Sequence, residues 1–597
     1  MQTLQAAASA LQNRDYNLAR DLLEKMLIVT PDHPDALQLM GIVYRRLGNL
    51  PQARDYFQKS LTINAVQPHT LNNLGITLAA LGDAPGAREC YLRAIAFAPQ
   101  FADPAYNLGL LLSQRAEWSD AIVHLRRASH LNPTDGRIFE ALGIALREAG
   151  ELQDAVVAAQ RAAALQAASH TAFHNLGGAH MALGDYVLAV AAYERAISLK
   201  EVDATWIGLG HAYRGLGRSR DAQAAYNRAV VLNPANPDAH RLLNEMIWQS
   251  GEAKQYLRSF QIALMTRSED HRLRLAYANE LLKIQQYNEA SSELERALLT
   301  TPADGDALDA MARAKSAIGD YETAVDFHSR AMEALPGRPV ILRNTVETLL
   351  KAGQHKRAYE LTSSGHQRFP VEQGILALHT TAQRLLGDER YLRLADYSGI
   401  PRVFQLEPPP GYPDIETFCV HLKEFLESIH ATKAHPTDQT LRGGTQTFGA
   451  LFQNRTPVLQ TFITQLRKAV STFIAEMPAD QNHPLFSRAT DRFDFSGSWS
   501  VRLSSGGYHT NHFHPMGWIS SAFYVDVPDV VSDQGKHEGW LKMGETNLEL
   551  GSREIIHRYI QPKAGSLVLF PSYFWHGTMP FESATPRLTI AFDVVPQ

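Results

Sequence analysis

Small and apolar residues recur along the first two thirds of the chain with a 34-residue period. Glycine, each time after Leu or Met, falls at Gly41, Gly75, Gly109, Gly143 and Gly177, then at Gly210 after a 33-residue step. Alanine keeps a second phase at Ala19, Ala53, Ala87, Ala121, Ala155, Ala189 and Ala222; after one degenerate unit near Tyr256 it returns at Ala290, Ala324 and Ala358. Each unit predicts a helix, a turn such as Leu-Gly-Asp, and a second helix that stops near a proline step, as at Pro99, Pro133 and Pro234. The glycine and the alanine fall where two antiparallel helices would touch, and a larger side chain would push them apart. Roughly eleven such units fit into residues 1–395.

The periodicity ends before residues 396–413, DYSGIPRVFQLEPPPGYP, whose five prolines break any helix and predict a linker. Residues 414–597 follow another pattern. Helical spacing of Phe418, Leu422, Phe425 and Leu426 predicts a helix near 414–430, and a second lies near 455–477. From Ser498 onward, short β-rich runs dominate, SWSVRL, WISSAFYVDV, SLVLF and LTIAFDVV, between Gly, Pro and Asp turns. The expected fold is multidomain: an all-α repeat array followed by an α+β domain with a double-sheet core of jelly-roll type.

Charge narrows the partners. Lys and Arg number 57 against 62 Asp and Glu, a net charge of -5, so no global basic field is present to collect nucleic acid or an anionic membrane. The two cysteines, Cys90 and Cys419, are too far apart and too few for a disulfide framework or a thiolate zinc site. The first twenty residues lack the charged start and apolar stretch of a secretory signal, and no apolar run of about 18 residues occurs, so a cytoplasmic protein is expected.

Candidate chemistry concentrates in the β-rich region. His509, His512 and His514 lie in GGYHTNHFHP, and His576 lies in FPSYFWHGT. On a strand, positions i and i+2 share a face, so His512 and His514 can aim at one ion that His576 closes from another strand. His509 has the opposite parity and reads as a rim residue. Imidazole suits iron, zinc, copper or nickel alike. Arg587 opens the last run, where Arg587, Thr589 and Ala591 share one face and Leu588, Ile590 and Phe592 the other. An inward guanidinium needs an anion: either a bound carboxylate or a local acid such as Glu582.

In period and small-residue positions the array resembles the tetratricopeptide repeat. That likeness implies a superhelix whose first helices line a concave groove. Asn73, Asn107 and Asn175 each stand two residues before the repeat glycine on that helix. They resemble the asparagine-lined groove of O-linked N-acetylglucosamine transferases, which implies a peptide or protein held through its backbone. Leu39, Ala141 and Gly208 interrupt the ladder, and asparagine at this repeat position also occurs without such a role. Arrays of this kind leave a homodimer through an exposed helix open.

The order His-x-His, distal His, then Arg with a hydroxyl two residues on resembles the double-stranded β-helix of Fe(II)/2-oxoglutarate oxygenases. GSWSVRLSSGGYHTNHFHPMGWISSAFYVDVP and AGSLVLFPSYFWHGTMPFESATPRLTIAFDVVP resemble a bacterial subfamily related to prolyl hydroxylases and commonly fused to tetratricopeptide repeats. RGGTQT at 442–447 belongs to the same likeness, and a repeat arm joined to such a domain is similar to the aspartyl/asparaginyl hydroxylases. The resemblance implies Fe(II) and 2-oxoglutarate, with ascorbate admissible as an accessory reductant. His512, His514 and His576 would be metal residues, Arg587 and Thr589 would hold the cosubstrate, and Tyr508 and Tyr524 would be supporting donors. Most of the class has a carboxylate where this chain has His514, which leaves the site one charge more positive; His514 would either ligate or swing aside. The expected function is hydroxylation of a peptide or protein presented by the repeat arm; the alternative is a silent repeat scaffold with a metal-binding barrel.

Overall fold

The computed structural model describes residues 2–430, 432–437, 439–447 and 450–597. They form two compact units, one ending at Glu201 and the other beginning at Val202.

The first unit is a run of antiparallel helix pairs from Gln2–Gln12 to Tyr186–Leu199. Each repeat glycine faces the residue 16 positions on: a Cβ on Gly41 would stand 2.6 Å from the Phe57 ring, and one on Gly177 would stand 2.7 Å from the Tyr193 ring. The phased alanines Ala19, Ala53, Ala87, Ala121, Ala155 and Ala189 are fully buried. Helix starts are set by local chemistry. Asp83, for example, accepts the Gly86 N–H at 3.0 Å, and proline opens Pro34–Arg46 and Pro68–Ala80.

In the second unit the helix pairs continue from Asp203–Gly215 to Gln373–Leu385. The degenerate repeat has a shortened second helix, Arg258–Thr266, entered through a 3-10 turn and Leu257 at φ 70°. Among the described residues, the sheet domain contains helices Ile415–Ile429 and Pro457–Ala475 and nine strands: β1 (Arg402–Gln405), β2 (Leu441–Gln446), β3 (Phe493–His509), β4 (Ile519–Asp526), β5 (Leu541–Met543), β6 (Arg558–Ile560), β7 (Ser566–Pro571), β8 (His576–Thr578) and β9 (Arg587–Pro596). One antiparallel sheet has the order β1-β7-β4-β9-β3-β2, the other β6-β5-β8.

The stretch 396–413, expected as a linker, carries β1, which pairs with β7 through Arg402↔Leu569 to Gln405↔Ser566. RGGTQT forms most of β2; a Cβ on Gly444 would collide with the Arg502 carbonyl, so glycine permits the close approach to β3. Repeat helices and sheet share one core: Leu342, Val346 and Ile375 belong to the same buried cluster as Phe418, Phe462, Phe523 and Phe592. Among the described residues no helix is long and apolar enough to cross a membrane.

Candidate functional site

Three imidazoles converge between the sheets. His512 and His576 form an isolated antiparallel bridge, exchanging two backbone hydrogen bonds of 2.9 Å. His512, His514 and His576 each offer a ligand atom within 4.8 Å of the others, the one such group of His, Cys, Asp or Glu among the described residues. The Nδ1 of each ring faces an oxygen: Thr510 O at 2.8 Å from His512, Phe574 O at 2.9 Å from His576, and Asp593 Oδ1 at 2.6 Å from His514. The tautomer that satisfies all three donates from Nδ1 and keeps the Nε2 lone pair for a ligand. Burial pushes the His512 imidazolium down to about 3, and burial, reinforced by His512 and His514, drives that of His576 well below its ordinary range. Both rings are neutral near pH 7, as metal ligation requires.

Arg587 lies on the wall of the same space. Strand register sets Thr589 opposite Val501 and Tyr524, and Arg587 opposite Leu503. Arg587 is 3 % exposed; its guanidinium donates from one terminal nitrogen to Thr578 Oγ1 at 3.3 Å and lies 5.0 Å over the Tyr524 ring. Its Nε has no partner, and no carboxylate pairs with it among the described residues. Glu582, the local acid that offered a structural explanation, instead accepts from Ser505 Oγ at 2.6 Å. Burial weakens the arginine's hold on its proton, partly countered by Tyr524. A buried guanidinium without an anion is costly, so the arrangement calls for an acidic ligand.

The cavity, about 490 Å³, joins these features: His512, His514, His576, Thr578, Arg587, Thr589, Ala591 and Asp593 all line it. That volume falls in the ordinary range for small-molecule sites, roughly 300–1,000 Å³. Three imidazoles and a guanidinium with no carboxylate partner among the described residues face one cavity, an arrangement that fits a divalent metal together with a small dicarboxylate. Iron is one of the ions that imidazole suits.

Other expected positions fall differently. Tyr508, half-buried and opposite Arg442 on β2, is not among the lining residues, because its parity on β3 is opposite to that of His509, which does line the cavity. His509 Nδ1 is 3.1 Å from Thr440 Oγ1, at the mouth formed with Gln439. Tyr524 is fully buried beneath Arg587, so it reaches the cavity only through that guanidinium. The asparagines bond sideways within the array: Asn73 accepts from Arg45 at 3.3 Å, Asn107 donates to Asn72 at 2.9 Å, and Asn175 donates to Glu140 at 2.7 Å.

Sequence reasoning missed Thr578 and Asp593. Both were within reach of strand alternation: Thr578 is two residues past His576, and Asp593 is the next position on the face Arg587, Thr589, Ala591. The loop that carries His512 and His514 also leans on the repeats. Gln373 N–H donates to Pro515 O at 3.0 Å, and the Phe513 ring sits 4.7 Å from Trp575 and against Gly374.

Residues 497–593 match the family model described as "Putative 2OG-Fe(II) oxygenase". Tetratricopeptide-repeat models match 4–68, 106–170 and 207–255, as well as 69–98 and 170–203. The chain thus carries tetratricopeptide repeats, modules of protein–protein interaction, ahead of a C-terminal domain that matches the putative 2OG-Fe(II) oxygenase model. Yeast Tom70 matches at 14 % identity over 65 % of this chain and 96 % of that one, with TM-score 0.38. MamA matches at 21 % over 28 % and 90 %, TM-score 0.26. PilF of Pseudomonas aeruginosa matches at 19 % over 35 % and 95 %, TM-score 0.31. No curated protein matches the chain.

Proposed function

We propose that the C-terminal domain is an Fe(II)- and 2-oxoglutarate-dependent dioxygenase that hydroxylates a peptide or protein presented by the repeat array. His512, His514 and His576 hold the iron. Arg587 and Thr589 hold the distal carboxylate of 2-oxoglutarate, with Tyr524 bracing the guanidinium from below. The observation that carries the reading is Arg587: a buried guanidinium with no carboxylate partner among the described residues, lining the cavity that holds the three imidazoles. Bound iron and 2-oxoglutarate supply the chemistry, in which one atom of dioxygen enters the substrate C–H bond and the other enters succinate as carbon dioxide leaves. The chain's own part is to orient and enclose. The apolar lining from Phe570, Leu541 and Val501 limits water in the cavity, and Gln439, Thr440 and the exposed Met516 frame its mouth.

Asn73, Asn107 and Asn175 support backbone capture of a polypeptide, each keeping amide capacity beyond the one lateral bond that holds its orientation. The test is succinate formed from labelled 2-oxoglutarate by purified protein with ferrous iron. Wild type is expected to turn over and His576→Ala to fall to background. Equal, zero turnover in both, with and without candidate peptides, would leave a repeat scaffold.

A further inference from the structure

Asp593 stands on β9 in the row Arg587, Thr589, Ala591, Asp593 that lines the cavity. Its Oδ1 receives two hydrogen bonds, from His514 Nδ1 at 2.6 Å and from Ser520 Oγ at 2.6 Å. The same cluster fixes the histidine's backbone. His514 N–H donates to Ser572 O at 2.8 Å, and Ser572 Oγ lies 2.9 Å from Ser520 Oγ. No Lys or Arg pairs with Asp593 among the described residues; its one ionic neighbour is the His514 ring. Asp593 is also outside the group of side chains that bring ligand atoms together. A largely enclosed carboxylate with no cation of its own is unfavourable unless a positive charge lies close by. Through the imidazole, the nearest place for one is the point where the three rings meet.

We infer that Asp593 is the charge-balancing carboxylate of the metal site, acting through His514 instead of binding the ion. It fixes the ring with Nδ1 turned back and Nε2 free, which makes His514 a third ligand and excludes the swung-aside state. It also returns the negative charge that the class ordinarily places in the ligand position itself. A carboxylate behind a ligating histidine raises the ring's donor strength, and losing such a partner typically weakens metal binding about 10–100-fold. Asp593 is in this sense a positioning residue. The inference rests on the metal reading of the site and adds a consequence that reading alone does not have. With Asp593 in place, a carboxylate at position 514 would face a like charge, so the commoner ligand would be the worse one here.

The experiment is a double-mutant cycle read by calorimetric titration of Co(II) into the full-length protein, with the Co(II) absorption spectrum as a second readout. Asp593→Asn keeps shape and hydrogen bonding and removes the charge. Its Co(II) affinity is expected to fall about 10–100-fold with an altered ligand-field spectrum, while the metal-free melting temperature moves little. His514→Asp is expected to bind weakly, and adding Asp593→Asn to it to recover affinity. Wild-type affinity in Asp593→Asn, or His514→Asp binding well whichever residue is at 593, would overturn the proposal. Should Asp593→Asn not fold, Ser520→Ala, which strips one bond from the same oxygen, must weaken Co(II) in the same direction; unchanged affinity there overturns it too. His576→Ala separates the two levels: if it binds Co(II) as tightly as wild type, the metal reading itself fails, whereas its loss beside an unaffected Asp593→Asn defeats only the role of Asp593.

Discussion

Trp575 donates its indole N–H to Thr381 Oγ1 at 3.0 Å, which ties the residue beside His576 to the repeat helix Gln373–Leu385. The Thr381 hydroxyl in turn donates to Ala377 O at 2.8 Å, so the bond is anchored in the helix backbone. Together with the Gln373–Pro515 bond, it braces both segments that carry the clustered histidines against one element of the array. The last repeat is thereby part of the site's support.

Thr381→Val keeps the volume and removes the acceptor, leaving a buried indole N–H unsatisfied. Stability of the native protein in urea is expected to fall by about 1–3 kcal/mol, and metal affinity to fall with it because His576 follows Trp575 directly. A stability loss with unchanged metal affinity would confine Thr381 to the core.

Gly177→Ala inserts a methyl group against the Tyr193 ring, where the Cβ would stand 2.7 Å from ring carbons. An overpacking cost of about 1–3 kcal/mol is expected, measurable as a lower melting temperature of the repeats. Gly150, at φ 82° and with nothing within 4 Å of where a Cβ would stand, gives the contrast: alanine there is strained by the backbone alone.

Trp248→Phe removes the hydrogen bond from the indole to His435 O at 3.0 Å, next to the paired bonds from Lys433 and Ala434 N–H to Gln249 O. These contacts hold residues 433–435 on the helix Pro237–Gln249 a few positions before Gln439 and Thr440 at the cavity mouth. Amide exchange across 433–437 is expected to accelerate while Mn(II) affinity stays at the wild-type value.

Much of this was legible because the relevant signals are local or strictly periodic. The Gly41-to-Phe57 contact recurs at Gly177 and Tyr193, so one packing rule printed itself every 34 residues. Alternation along β9 placed Arg587 and Thr589 apart from Ile590 and Phe592, and the spacing of His512 and His514 suggested a shared face. What was hidden depends on distant partners. β1 exists because β7 pairs with it, and β5 and β8 are three-residue strands whose ladders no propensity specifies. Asp593 was overlooked because reading of its face stopped at Ala591, and the meaning of an acid there comes from Ser520 and His514, 73 and 79 residues away. The shared core of Ile375 with Phe418 and Phe592 has no local signature, which is why the proline-rich stretch read as a linker.

Whether one cavity takes a metal and a dicarboxylate through different residues is measured by anaerobic titration of 2-oxoglutarate into protein with and without Mn(II). Binding is expected to require the metal, and Arg587→Ala is expected to lose about 2–5 kcal/mol of cosubstrate affinity while retaining wild-type Mn(II) affinity. Binding of 2-oxoglutarate that is indifferent to metal, or loss of metal and cosubstrate together in Arg587→Ala, would contradict the account.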